Sequence, residues 1–94
     1  MEKITVIVPC YNEEKALPLF YEELNKHIKT FPDNVEFEIL LVNDGSKDDT
    51  LKVIKDLEKN DSRIKHISFS RNFGKESAIY AGLENATGDY ITLF

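Results

Sequence analysis

Along the chain, short runs that are apolar at nearly every position alternate with longer stretches that are apolar only every third or fourth residue. Residues 4–8, 37–42 and 64–69 are runs of the first kind, and a fourth begins at Asp89 and continues through Tyr90, Ile91 and Leu93 to Phe94. Rich in β-branched residues, they predict strands. Between the first two runs, Leu17, Phe20, Tyr21, Leu24, Ile28 and Phe31 form the stripe of an amphipathic helix. Pro18 is tolerated only in the first turn, so this helix is expected to start near residues 15–17. Leu51, Val53, Ile54 and Leu57 mark a second helix that stops at Asn60 and Asp61. Residues 75–86 predict a third, with Ala78, Ala81 and Gly82 allowing close approach to a sheet and a stop at Thr87 and Gly88.

Strand and helix thus follow each other in the order βαβαβαβ. Parallel neighbours cannot be joined by tight hairpins, and a helical crossover between each pair of strands therefore predicts a mainly parallel sheet. The runs "VIV" and "ILLV" leave no polar face, as expected of strands covered on both sides. The expected fold class is α/β: an open, doubly wound, mainly parallel, Rossmann-like sheet.

Ninety-four residues suit one small domain. With 12 basic and 17 acidic residues the net charge is −5 and the cations are scattered, which removes nucleic acid as an expected partner. Cys10 is the only cysteine and cannot form an internal disulfide; with no leader-like start, a cytoplasmic setting is expected. No run approaches the roughly 18 apolar residues of a membrane span.

In doubly wound sheets ligands bind beyond the carboxyl ends of the strands. Three polar loops are expected there: Pro9, Cys10, Tyr11, Asn12 and Glu13; Asn43, Asp44, Gly45 and Ser46; and Ser70, Arg71, Asn72, Phe73, Gly74 and Lys75. In the first, Pro9 is expected to end its strand ladder, Tyr11 offers a ring face for a planar base, and Glu13 and Glu14 suit a helix start, Glu13 with the further option of a base or ribose contact. In the second, Gly45 permits a sharp turn, and Ser46 with Asp49 has the spacing of a capping box. Asp44, before the capping residue, is free either to accept from a base imide or ribose diol or to form an Asx-turn. In the third, Arg71 and Lys75 stand at a glycine turn entering a helix, where free N–H groups favour an anion such as a diphosphate; pairing of Lys75 with Glu76 is the alternative. Cys10 is expected to pack rather than react, since no histidine is placed to activate it. His27 and His66 lack ligand spacing, and Asp89, about five residues of roughly 3.3 Å each from the carboxyl edge, is too distant for a metal role in the crevice. No catalytic residue and no metal ligand is therefore assigned within the chain.

Four ordered segments, "ITVIVPCYNEE", "LLVNDGSKDDT", "SRNFGKESAIYAG" and "ATGDYITLF", resemble the amino-terminal half of the family 2 inverting glycosyltransferases of the glycosyltransferase A fold, and among them the polyprenyl-phosphate (dolichol- or undecaprenyl-phosphate) sugar transferases. The resemblance implies that Pro9, Tyr11, Asn12 and Glu13 cradle the base and ribose of a UDP- or GDP-linked sugar. It implies that Asp44 and Gly45 sit at the base, and that Arg71, Gly74 and Lys75 border the diphosphate. Asn43 stands where a first aspartate is commoner. The aspartates that bind Mg²⁺ or Mn²⁺ in the family would follow residue 94, so residues 1–94 are expected to be the nucleotide-sugar-binding part of a longer domain, truncated before the metal ligands and inactive alone. The lipid-phosphate acceptor and any location at the cytoplasmic face of a membrane belong to the parent. A non-catalytic nucleotide-binding or assembly module is the alternative, and the exposed apolar edge of a sheet ending at the fourth strand predicts self-association.

Overall fold

The computed structural model describes residues 2–94. Seven elements follow in the expected order: β1 Glu2–Cys10, α1 Ala16–Ile28, β2 Val35–Asn43, α2 Thr50–Asn60, β3 Ile64–Ser68, α3 Lys75–Asn85 and β4 Tyr90–Leu93. All strand pairings are parallel and the order across the sheet is β3-β2-β1-β4. Both central strands extend beyond their apolar runs, because the residues before those runs still pair, Glu2 with Val35 and Lys3 with Glu36.

Alternation along the strands sends side chains to two separate cores. Val6, Val8 and Cys10 of β1 and Phe37, Ile39 and Leu41 of β2 meet Leu17 and Leu24 of α1 and Ile54 of α2 on one face. Ile7, Leu40 and Val42 meet Ala78 of α3 on the other. The sheet is doubly wound, as the two-sided apolar runs require. Gly82 is buried where a Cβ would stand 2.5 Å from Cγ2 of Ile7, so the close approach of α3 to β1 depends on its having no side chain. Phe31 lies past the end of α1 and still joins the core edge, its ring 5.2 Å from that of Phe37 in an edge-on contact.

Pro9 does not end the ladder. It pairs with Val42 and β1 runs on to Cys10, whose carbonyl accepts the Asp44 N–H at 2.8 Å. Residue 7 directs its carbonyl towards β4, accepting from the Phe94 N–H; Pro9, two residues on, faces the same side, past the last β4 pairing. A missing N–H costs no ladder bond there.

At the amino edge of the sheet the side chain of Glu38 is buried within the fold, 1% exposed. Its carboxylate accepts from the Thr5 hydroxyl at 2.8 Å, the Lys65 ammonium at 3.0 Å, and both the N–H (3.1 Å) and hydroxyl (3.0 Å) of Thr87. Burial raises the cost of its charge, yet these donors outweigh that and hold its pKa down at about 2, from an ordinary 4.5. The same corner seats β4: Asp89 accepts from the Lys3 N–H and donates its own to the Lys3 carbonyl, which puts Asp89 at the edge opposite the polar loops.

Two outcomes follow. Because the folded pKa of Glu38 lies below its unfolded value, its contribution, about 3 kcal/mol, is complete above pH 4.5 and is lost as the pH falls towards 2. Urea unfolding should show the wild type and Glu38→Gln far apart at pH 6 and converging near pH 2; a constant difference would refute the assignment. Gly82→Val should destabilise by about 2 kcal/mol or more by driving a branched side chain into Ile7, measured as a lowered urea midpoint.

Candidate functional site

The carboxyl ends of the four strands share one edge, and a cleft of about 520 Å³ opens there, lined by Pro9 and Cys10 at the end of β1, Tyr11 and Glu13 just after it, Asp44 after β2, Asn72, Gly74 and Lys75 at the entry to α3, and Phe94 after β4. Its place follows from topology. The chain leaves β1 for α1 on one face and reaches β4 through α3 on the other, so the two connections diverge and leave a gap beside β1.

Of the nine sequence-predicted site residues, Pro9, Tyr11, Glu13, Asp44, Gly74 and Lys75 line this cleft, and Asn12, Gly45 and Arg71 do not. Asn12 holds the first two loops together instead. It has a positive φ of 52°, a conformation asparagine tolerates, its N–H donates to the Ser46 hydroxyl at 3.0 Å, and its side-chain carbonyl accepts from the Lys47 N–H at 2.8 Å. Gly45, at φ 65°, lies against the third loop so closely that a Cβ would stand 2.1 Å from the backbone carbon of Arg71. Arg71 turns outward, its guanidinium 4.9 Å from the centre of the Phe73 ring, so it does not share the hollow with Tyr11 and Asp44.

The expected capping box is absent. α2 begins at Thr50 with Asp49 at its N-cap and no side-chain capping bond; Ser46, four residues before Thr50, is used by Asn12, and Asp48, just outside the helix, accepts the Thr50 N–H at 3.0 Å and the Thr50 hydroxyl. The Thr50 hydroxyl in turn accepts the Glu13 N–H at 2.8 Å, and Asp48 accepts the Glu14 N–H at 3.3 Å. Hydrogen bonding to Thr50 lowers the pKa of Asp48 despite the opposing effect of burial. The first loop is thus held over the start of α2 by polar contacts between residues more than thirty positions apart.

Asp44 is not a free carboxylate. It is 3% exposed and takes three N–H donors from the third loop: Phe73 N at 2.8 Å on Oδ1, and Gly74 N at 3.0 Å and Asn72 Nδ2 at 3.1 Å on Oδ2. Asn43 donates to the Ser68 hydroxyl at 3.0 Å and accepts from the Ser46 N–H at 3.2 Å, joining the end of β2 to β3 and to its own loop. Cys10 is 1% exposed; burial, aided by the nearby charge of Glu13, pushes its thiol up to about 12, which leaves it a packing residue. Sequence reasoning did not nominate Asn72 or Phe94. Asn72 could have been found as a side-chain donor placed within a glycine turn; Phe94 carried no polar signal at all.

A divalent cation beside a diphosphate takes several oxygen ligands. The cleft has carboxylates only at Glu13 and Asp44, with Asp44 already holding three donors, and no group of three or more His, Cys, Asp or Glu among the described residues is arranged to bind a metal. These residues do not make a metal site by themselves.

Comparison with known proteins agrees with this geometry. Residues 5–94 match the family described as glycosyl transferase family 2. The prophage bactoprenol glucosyl transferase homolog of Escherichia coli K12 is 47% identical over 91 residues, covering 95% of this chain and 28% of that protein, and the bactoprenol glucosyl transferase of Shigella phage SfX is 45% identical over 89, covering 95% and 28%. Among solved structures, Staphylococcus aureus TarS 1–349 in complex with UDP superposes with a TM-score of 0.77 at 32% identity over 98% of this chain and 26% of that one. The mannosyltransferase PcManGT of Pyrobaculum calidifontis, in complex with GDP-Man and Mn²⁺, gives 0.75 at 27% identity over 96% and 26%. The chain spans about a quarter of the length of these relatives. With four parallel strands, a cleft at their carboxyl edge and this match over nearly its whole length, the chain belongs to glycosyl transferase family 2.

Proposed function

We propose that residues 1–94 form the nucleotide-sugar-binding, amino-terminal part of an inverting glycosyltransferase that transfers a sugar from a nucleoside diphosphate to a polyprenyl phosphate. The observation that carries this is the convergence of three loops on one cleft of about 520 Å³, a volume in the range of small-molecule sites. Tyr11, 41% exposed at the rim, presents a ring on which a base can stack, and Glu13 stands beside it for the base or ribose. Pro9 shapes the floor. Gly74 turns the chain into α3, and Lys75, its first residue, brings a cation to the free N–H groups of the helix start, a pairing suited to a diphosphate. Arg71 borders the same loop from outside, Asn12 and Gly45 hold the loops in place, and Asp44, which lines the cleft, fastens the third loop.

In the transfer, an oxygen of the lipid phosphate forms a bond to the anomeric carbon as the bond from that carbon to the diphosphate breaks, and the diphosphate departs with the electron pair. The charge that develops there calls for Mg²⁺ or Mn²⁺, held by residues outside this stretch, and the chain alone is proposed to bind nucleotide without turning it over. No helix among the described residues is long and apolar enough to cross a membrane; a site at the cytoplasmic membrane face is proposed for the parent on the lipid nature of its acceptor. Self-association of the isolated chain is proposed through β4, where Tyr90, Ile91 and Leu93 lie exposed on an edge strand.

Calorimetric titration of the chain with UDP and GDP should give binding of one or both, and Lys75→Ala should weaken it about tenfold. Sugar transfer from UDP- or GDP-sugars to polyprenyl phosphate should be seen with the full-length protein. Absence of both nucleotide binding and transfer would end the proposal. In sedimentation, the chain should run larger than a monomer, and Leu93→Lys should shift it towards one.

A further inference from the structure

We infer that the chain has a second ligand site at the amino ends of its strands, a basin of about 370 Å³ that takes a sugar phosphate. Lys3 of β1, Lys65 of β3, and Ser62 and Arg63 in the turn before β3 stand around it, together with Glu36 and Glu38 of β2. Three cations thus face two carboxylates, a local excess of positive charge on a chain whose net charge is −5. The basin shares no lining residue with the cleft at the carboxyl edge, and it stands on observations separate from the nucleotide proposal.

Structural pairing uses only part of these donors. Lys65 Nζ gives one of its three hydrogens to Glu38, at 3.0 Å, and its side chain stays 59% exposed. Lys3 Nζ donates to the Thr87 hydroxyl at 2.7 Å and lies 3.8 Å from Glu38. Arg63 commits Nε and Nη2 to Asp61 and Asn25, while its Nη1 and the Ser62 hydroxyl bond to no other described residue. Glu38 is the opposite case: it is buried, and donors from Thr5, Lys65 and Thr87 already meet its charge. Uncommitted N–H and O–H groups arriving from β1, β3 and the turn between α2 and β3 suit the several acceptor oxygens of a phosphate. Glu36 selects among phosphates. Exposed on the rim, it repels a bare phosphate but accepts from hydroxyl groups, and Ile28, Val35 and Phe37 offer an apolar wall to the C–H face of a sugar ring. The basin is smaller than the cleft of about 520 Å³, a size for a sugar phosphate rather than a whole nucleotide sugar.

Titration of the chain with glucose 6-phosphate, inorganic phosphate and glucose, followed through amide chemical shifts, tests the site. Glucose 6-phosphate should shift the amides of Glu36, Ser62 and Lys65 and bind about tenfold more tightly than phosphate, and glucose should shift none of them. Lys65→Gln should weaken glucose 6-phosphate about tenfold and Ser62→Ala about threefold. The Ser62 hydroxyl holds nothing in the fold, so its loss does not act through unfolding. Glu36→Ala should narrow the gap between glucose 6-phosphate and phosphate. The inference is overturned by no binding, by equal binding of the two, by shifts confined to Tyr11, Gly74 and Lys75 at the cleft, or by an affinity that neither Lys65→Gln nor Ser62→Ala changes.

Discussion

The structure rests on the parallel pairing of β1 with β2, nine residues against nine, with core side chains on both faces. Parallel pairing obliges the chain to return through a helix before each new strand, so every strand finishes at the same edge. Loops from distant parts of the sequence then have to share that edge. The cleft is a consequence of this constraint, and its position beside β1 follows from the crossover that carries the chain to the opposite face before β4.

Two buried carboxylates on the β2 segment do related work at its opposite ends. Glu38, near the amino end, gathers Thr5, Lys65 and Thr87 and so connects three strands to the turn that leads into β4. Asp44, just past the carboxyl end, gathers the loop that leads into α3. A buried charge is tolerated only when hydrogen bonds replace its lost hydration, and in both places the donors come from the segments whose placement matters. Polar burial here substitutes for the apolar contact that short connecting loops cannot supply.

The remaining loop contacts follow the same logic. Asn12, Ser46, Thr50 and Asp48 join the first loop to the second through side chain to backbone bonds, which leaves Tyr11 exposed and Glu13 directed at the cleft rim. The surface opposite the cleft has its own joint: Asp61 accepts from the guanidinium of Arg63 and from the Tyr21 hydroxyl, which together hold its carboxyl well below the usual range and tie α1 to the turn before β3.

Periodicity alone determined the seven elements, their order, the two covered faces and the edge at which Tyr11, Asp44 and Lys75 would meet, because burial is reported residue by residue in the pattern of apolar positions. Pro9 was not legible in this way: its strand continues because its missing N–H faces past the last β4 pair, which only the register reveals. What tertiary structure alone decided was which polar side chains face the cleft and which face one another. Ser46 had the spacing of a cap and became a ligand of Asn12, Asp44 was taken up by an amide thirty residues away, and Arg71 settled over Phe73 outside the hollow. A polar residue in a loop has the same local signature whether its partner is solvent, a ligand or another loop, and only the three-dimensional approach of the loops selects between them.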